Sequence, residues 1–266
     1  MQKIGVGIIT CNRPKFFVKC FKSIPQNVEL VVVNDGADFE DVGRLHSMRK
    51  FEYIHNKENL GVGKTKNKAF KYLLEQNCDH IFVIEDDIVV KDPAVFDKYI
   101  EARNLTGIQH FNFAYHGPAN KNNISGGKPT PRFVVDYGSI KVAINPASVG
   151  AFCYYTREVL EKVGLIDEDF LNAFDHVDHD YRIFRAGYST PYWNWPDLAN
   201  SMDYIDEIEC SEKSSTIRPR KDWQENLTKG AEWFKKKHGY MPAWQGCVPD
   251  TTKEDVVKFL RSIKPK

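Results

Sequence analysis

Three consecutive carboxylates, Glu85, Asp86 and Asp87, follow an apolar run at residues 81–84. Like charges this close repel one another unless something positive binds between them. A hard divalent cation such as Mg²⁺ or Mn²⁺ meets that need with oxygen ligands and can bridge them to a diphosphate. The motif therefore predicts a metal site, with an acidic turn that faces water as the alternative.

A second candidate motif is the G-V-G-K-T segment at 61–65, which ends like the phosphate-binding loop of an NTPase. That loop requires a glycine five positions before Gly63, where this chain has Glu58. The side chain and charge of Glu58 would lie where a bare backbone turns around phosphate. An NTPase is therefore the least favoured of the functions that the motifs allow.

Alternating strands and helices predict the frame that holds these groups. Apolar runs bounded by turn residues predict strands at 4–10, 29–33, 51–55 and 80–84, and helical spacing of apolar residues predicts helices after Pro14 and at 65–76. This order is typical of an α/β fold with a largely parallel sheet covered on both faces. Later elements are expected as a strand at 133–144, a helix at 174–186 that ends at Gly187, a helix from Asp222 to Gly239, and a last helix capped by Thr252 and Asp255.

Polar residues cluster where the predicted strands end. In α/β sheets the carboxyl ends of the strands share one edge, and ligands bind there. The residues at those ends are Thr10, Asn12, Asn34, Asp35 and the carboxylates at 85–87. We therefore expect a single cleft to contain them.

Composition excludes several classes of function. The 266 residues are 42% apolar and 27% charged, as in an ordinary globular protein, and the net charge of +1 gives no global reason to expect a nucleic-acid binder. The six cysteines form no C-x-x-C pair, which favours reduced thiols. The first apolar run is too short for a signal peptide, and no run reaches the roughly 18 residues of a membrane span. A cytoplasmic protein is expected.

Charge is distributed unevenly along the second half of the chain. Residues 161–212 contain 13 acidic and 3 basic side chains, whereas residues 213–238 contain 8 basic and 3 acidic ones. The contrast suggests a basic segment that folds toward an acidic, metal-bearing cleft.

Four segments, in order, resemble the GT-A-fold nucleotide-sugar glycosyltransferases, especially glycosyltransferase family 2. They are IITCNRP at 8–14, VVVNDG at 31–36, NLGVGKTKN at 59–67 and EDD at 85–87. The resemblance covers roughly residues 3–195 and implies a Rossmann-like, mostly parallel central sheet flanked by helices, with a helical C-terminal extension. It implies a catalytic domain at 1–205, with a nucleotide-binding half at about 1–90 and an acceptor half at about 91–205. Residues 206–266 would form a basic helical segment that packs on the active site or caps it.

The resemblance also implies roles for individual residues. Asp87, with Glu85, would ligate Mn²⁺ or Mg²⁺, and Asp35 would accept a hydrogen bond from a uracil N–H. The full set of residues expected to contact the nucleotide, most often uridine, is Thr10, Asn12, Arg13, Asp35, Lys66 and Asp86.

The catalytic base is expected in the segment 173–182, which resembles the acceptor-side E-D-x-D motif of the family. Asp175 stands for the usual Glu, and His176 stands where the usual Asp does. Asp178 and Asp175 rank nearly level as the base, with His176 behind them, although a histidine is competent because its pKa lies near neutral. His179 is either a metal ligand or the partner of Asp175. Helical ion pairs between residues four apart are the structural alternative.

The implied reaction is direct displacement at the anomeric carbon of a nucleoside diphosphate sugar, with inversion. The leaving group would be neutralised by the metal and by Arg218, Arg220 and Lys221, while Trp193 and Trp195 would offer an aromatic platform to sugar, with burial in the core as the alternative. The acceptor class stays open between a glycan, a lipid, a protein and modified nucleic acid such as hydroxymethylated DNA. A nucleotide- or sugar-binding module that has lost catalysis is the alternative from another class, because His176 occupies an acidic position.

Overall fold

The computed structural model describes residues 2–39, 42–116, 120–121, 130–191, 194–208, 215–239 and 252–262. Its first half contains β1 (Ile4–Thr10), α1 (Pro14–Ser23), β2 (Glu29–Asn34), α2 (Val42–Met48), β3 (Glu52–His55), α3 (Val62–Glu75), β4 (His80–Glu85), β5 (Ile88–Val90), α4 (Ala94–Thr106) and β6 (His110–Asn112). The second half contains β7 (Phe133–Asp136), β8 (Lys141–Asn145), β9 (Phe152–Thr156), α5 (Arg157–Val163), α6 (Asp175–Arg185), β10 (Trp195–Leu198), α7 (Ser201–Tyr204), β11 (Ile205–Glu207), α8 (Trp223–His238) and α9 (Lys253–Ser262).

A six-stranded sheet in the order β3-β2-β1-β4-β9-β6 forms the centre of the fold. The first four strands run parallel, and β9 runs antiparallel between β4 and β6. The α/β class with a mostly parallel sheet is therefore confirmed. The single strand expected at 133–144 is wrong, because Gly138, at φ 86°, makes a turn that folds β7 back on β8.

Both faces of the central sheet are apolar and covered by helices. Consecutive residues of β2 alternate between the two clusters, so that Val32 faces the α1 side and its neighbours Val31 and Val33 face α3. The helix α3 lies very close to β1, since a Cβ on Gly7 would come within 2.8 Å of the Ala69 Cβ. Glycine at this position therefore sets the distance of α3, and of the Lys66 that it carries, from the strand ends.

The two C-terminal helices belong to different apolar clusters. Phe234 of α8 packs with Phe170, Tyr181 and Trp195, whereas Val256 and Leu260 of α9 are buried in the cluster on the α1 side. The predicted capping box of α9 is confirmed by reciprocal bonds between Thr252 and Asp255, but α8 has no side-chain cap. Among the described helices, none has the length and apolarity that crossing a membrane requires.

Candidate active site

The loops after β1 and β2 meet at the carboxyl edge of the sheet. Asn12, at φ 55°, accepts a hydrogen bond on its Oδ1 from the backbone N–H of Ala37 at 2.8 Å. Asn34 accepts one from the backbone N–H of Gly36 at 3.0 Å, which closes its own turn. The predicted convergence of these loops is therefore present, and Asn34 acts in the turn itself.

Asp35 is buried at the centre of this edge, and four N–H groups donate to its carboxylate. The donors are the side-chain amides of Asn56 (2.7 Å) and Asn59 (2.9 Å) and the backbone amides of Leu60 (2.8 Å) and Gly61 (3.0 Å). A carboxylate has about four acceptor sites, so this set fills them. A nucleobase N–H can reach Asp35 only by displacing one donor, and Asn59 is the exposed side chain of the set.

A cavity of about 150 Å³ lies beside Asp35. The loop residues Cys11, Asn12 and Asn59 line it from the sheet, and Thr216, Ile217 and Arg220 line it from the segment before α8. Arg220 pairs with Asp222 at 2.9 Å and donates to the Asn59 Oδ1 at 3.3 Å. Ligand pockets usually measure about 300–1,000 Å³, so this cavity holds a nucleotide only if the segment at 215–222 moves.

Two basic side chains of the same chain, Arg13 and Lys66, form ion pairs with the acidic run at the end of β4. Arg13 forms ion pairs with Asp86 and, at 3.0 Å, with Asp87. Thr10 donates to Asp86 at 2.7 Å, yet burial outweighs these contacts and raises the pKa of Asp86 to about 7. Burial also raises the pKa of Asp87, although the positive charges of His116 and Arg13 act to lower it.

Glu85 forms its ion pair with a different cation, Lys66. Burial alone would raise its pKa, but the Lys66 ammonium at 2.9 Å, together with His116 and Arg13, lowers it. The same ammonium donates to the Gly150 carbonyl at 2.9 Å, so the buried Lys66 joins Glu85 to the segment just before β9 and does not line the cavity beside Asp35. Lys64, by contrast, is exposed.

Asp87 has the donor atom that a divalent cation needs. Its Oδ1 is buried and has no hydrogen-bond partner in the described part of the chain. Within the same residues, no three His, Cys, Asp or Glu side chains are grouped so as to hold a metal. A buried carboxylate oxygen without a partner fits a hard cation, and the remaining ligands then have to come from the ligand, from water or from side chains that move.

His176 and Asp175 lie at the start of α6, next to this group. The chain enters α6 through two residues in the left-handed region, Asn172 at φ 58° and Phe174 at φ 62°. The His176 side chain retains 30% exposure, and its Nδ1 is 3.7 Å from the Asp175 carboxylate. Burial lowers the pKa of His176 and Asp175 raises it, with a net increase. Asp175 itself is buried, with Oδ2 lacking a hydrogen-bond partner in the described residues.

The other carboxylate ranked as a base, Asp178, contacts a different part of the molecule. It is completely buried, and its oxygens bind Arg182 at 2.8 Å, Lys237 at 2.9 Å and His238 at 2.8 Å. Both oxygens of this carboxylate therefore contact basic side chains. The carboxylate ties α6 to the end of α8.

His179 and Trp195 are core residues. His179 donates from Nε2 to the Gly164 carbonyl at 2.9 Å and stacks on Tyr155, and its Nδ1 has no hydrogen-bond partner in the described residues, so it does not pair with Asp175. Burial lowers its pKa to about 3. Trp195 is 2% exposed and cannot be an open platform for sugar. Trp193 lies outside the described residues, and Arg218 and Lys221 are exposed near Arg220.

Sequence reasoning missed two residues beside the metal motif, His116 and Glu207. The His116 Nε2 is 3.9 Å from Asp87, and its Nδ1 is 3.4 Å from Glu207. No motif in the chain marks either residue, because they approach Asp87 only through the pairing of β11 with β5 and the loop that follows β6.

The chain matches known glycosyltransferases in sequence and in fold. Residues 5–164 match the family model described as glycosyl transferase family 2. The chain is 26% identical, over 90% of its length and 94% of the relative's, to a protein of Acanthamoeba polyphaga mimivirus described as an uncharacterized glycosyltransferase.

Solved structures share the fold at low sequence identity. A mannosyltransferase from Pyrobaculum calidifontis, in complex with GDP-Man and Mn²⁺, matches 72% of this chain at 15% identity with a TM-score of 0.50. TarS of S. aureus matches 68% of it at 15% identity, also with a TM-score of 0.50. The chain spans 55% and 33% of the lengths of these two proteins. The match to the family model extends over more than half of the chain, and the protein belongs to glycosyltransferase family 2, whose members are enzymes that transfer sugars.

Proposed function

We propose that the protein is a metal-dependent, inverting glycosyltransferase that moves a sugar from a nucleoside diphosphate sugar to an acceptor hydroxyl, with a UDP-sugar as the donor that the resemblance to the family implies. The observation that carries the proposal is the convergence of three groups at one edge of the sheet. They are the Asp35 loop with its cavity, the Arg13–Asp87 pair, and the half-buried His176 with Asp175 beside it.

The nucleoside would bind in the cavity beside Asp35. The hydrogen bonds from Asn56, Leu60 and Gly61 hold this carboxylate in one orientation, and Asn59 is the donor that a base N–H replaces. Arg220 would follow the diphosphate as the segment at 215–222 opens and closes, since its contacts are with exposed groups.

Asp87 would hold the divalent cation through the buried Oδ1 that lacks a partner. When bound, such an ion supplies positive charge that stabilises the departing diphosphate. Arg13 would exchange its ion pair with Asp87 for a phosphate oxygen, and would keep its pair with Asp86. The leaving group would therefore meet a cationic site throughout the reaction.

His176 would be the base, with Asp175 as the carboxylate that orients the imidazole. The acceptor O–H proton moves to the imidazole, the acceptor oxygen bonds to the anomeric carbon on the face opposite the diphosphate, and the bond from that carbon to the diphosphate oxygen breaks. General base catalysis of this kind contributes about 10²–10⁴-fold. Choosing His176 as the base reverses the ranking made from the sequence, because Asp178 contacts three basic side chains and Asp175 is buried.

The donor is tested by measuring sugar release and transfer from UDP-sugars and GDP-sugars, with and without Mn²⁺. The GDP-sugars belong in the set because the P. calidifontis mannosyltransferase is described in complex with GDP-Man. We expect turnover that needs the metal, a preference for uridine, and product of inverted anomeric configuration by proton NMR coupling. Nucleotide binding without turnover for any donor would instead support a binding module.

A further inference from the structure

A buried ion pair lies one helical turn beyond His176. Asp180 follows it by four residues on α6, and residues with this spacing share one face of a helix, with their Cβ atoms about 5–6 Å apart. The Asp180 carboxylate is 1% exposed and lies 2.7 Å from the Nε2 of His110, the first residue of β6. We propose that His110 is a positioning residue for the base: it neutralises Asp180, so that Asp175 is the carboxylate that acts on the imidazole. This inference rests on the assignment of His176 as the base in the proposed function.

The hydrogen bonds of His110 require a proton on both ring nitrogens. Its Nδ1 is 2.9 Å from the main-chain carbonyl of Tyr154, and a carbonyl oxygen can only accept. Its Nε2 faces the Asp180 carboxylate, which also can only accept when it is ionised. Burial raises the pKa of Asp180, but His110 and weaker contributions, including that of His176, outweigh burial and lower it. The carboxylate is therefore ionised, His110 is an imidazolium, and the pair carries no net charge.

The loop before β9 links Asp180 to the base a second time. Ser148, in this loop, donates its hydroxyl to the second oxygen of the Asp180 carboxylate. Two residues later the backbone lies against the base, because a Cβ on Gly150 would come within 3.5 Å of the His176 ring. The ion pair is thus joined to the base both along α6 and through the loop at 148–150.

Charged side chains face the His176 imidazole from two helices. They are Asp175 and Asp180 of α6 and Lys66 of α3. Burial lowers the pKa of His176, the two carboxylates raise it and the ammonium lowers it, with a net increase. His179, also on α6, adds no charge, because burial lowers its pKa to about 3. A second carboxylate without a cation would raise the pKa of His176 further and keep the base protonated near neutral pH, where it has to accept a proton. Neutralising Asp180 prevents this.

The test is an NMR titration of His176 in the whole chain. The ring signals of the eight histidines are recorded against pH with ¹³C-labelled histidine, and the His176 signal is identified by its loss in His176→Gln. His110→Gln removes the positive charge but keeps an N–H that can donate to Asp180, whereas Asp180→Asn removes the negative charge with little change of shape. His80→Gln is the matched control, because His80 is buried and burial keeps it neutral by lowering its pKa to about 4. Circular dichroism checks the fold of each variant.

The two variants should shift the titration of His176 in opposite directions. His110→Gln should raise its pKa by about 0.6–1.2 pH units, the effect of one charge roughly 10 Å away at an effective dielectric constant of about 20–40. Asp180→Asn should lower it by at least about 0.4 pH units, because the carboxylate lies nearer to His176 than the imidazolium does. His80→Gln should leave it unchanged, and the double variant of His110→Gln and Asp180→Asn should titrate close to the wild type.

Opposite shifts separate charge from structure, because a general loosening of the fold would move the pKa of His176 in one direction. If one variant does not fold, the sign of the shift in the other decides. An unchanged titration, or shifts in the same direction, would overturn this inference and leave His110 as a structural residue of the core. The titration does not depend on turnover, so full turnover in His176→Ala would instead overturn the assignment of the base.

Discussion

Asp178→Asn separates two roles that a carboxylate on α6 can have, the catalytic base and an anchor for α8. Breaking a buried ion pair by removing one partner costs about 3–5 kcal/mol. The three partners of Asp178, namely Arg182, Lys237 and His238, keep 12–26% side-chain exposure and regain water when the charge is removed. We therefore expect a loss near the lower end, about 3 kcal/mol of unfolding free energy.

That loss predicts a measurable change in melting temperature. Unfolding entropy is about 2.1 cal/mol/K per residue, which for a 266-residue chain unfolding as one unit gives about 0.56 kcal/mol/K and a decrease of about 5 °C. Calorimetry gives the shift, and the exposed carboxylate variant Asp169→Asn is the control, expected within about 0.5 kcal/mol of the wild type. Transfer assays at 20 °C complete the comparison.

Melting temperature and turnover should change independently in the two variants. Asp178→Asn should melt earlier and keep turnover within several-fold, whereas His176→Ala should keep its melting temperature and lose about 10²–10⁴-fold in turnover. An Asp178→Asn protein with the melting temperature of the wild type and a turnover as low as that of His176→Ala would refute the assignment, and Asp178 would then be the base.

Three further predictions follow from burial and close contact. Because burial lowers the pKa of His179 to about 3, the unfolded chain binds more protons than the folded one between pH 3 and 6.5, and stability rises with pH in that window. We expect His179 to account for about 2 kcal/mol of the difference in unfolding free energy between pH 5 and pH 7. Urea titrations of His179→Gln should lack that part of the pH dependence. Gly230→Ala should cost about 1–3 kcal/mol by the same titration, because the added Cβ would lie 2.7 Å from the Phe174 ring, and a neutral result would mean that α8 does not press on the turn before α6. A chelator should abolish turnover but leave the melting temperature nearly unchanged, since Arg13 pairs with Asp86 and Asp87 without a metal; full turnover in the chelator contradicts metal dependence.

The sequence predicted the parts of the fold that depend on local pattern. The apolar runs of β1 and β2 and the capping box of α9 are properties of neighbouring residues, and all were found as expected. The hairpin at 133–144 was missed because Gly138 interrupts an alternation that otherwise continues on both sides of the turn.

The site was predictable as a location but not as a set of roles. Asp35, Asp86 and Asp87 follow strands whose ends must meet, so their convergence could be inferred. The function of Asp178 depends on His238, which is 60 residues away and reaches it only through the packing of α8. Likewise, the side-chain amides of Asn56 and Asn59, which donate to the Asp35 carboxylate, belong to the segment after β3. The spacing of residues in the sequence does not specify where that segment lies relative to β2.

The central claim is that Asp87 holds a divalent cation against the diphosphate of a nucleotide sugar. The most direct test is a crystal structure of the protein with UDP and Mn²⁺, with anomalous scattering recorded at the manganese edge. The account predicts one anomalous peak within bonding distance of an Asp87 oxygen and of the diphosphate, with Arg13 moved from Asp87 to a phosphate oxygen. Bound UDP without an anomalous peak, and with Arg13 still paired to Asp87, would contradict it.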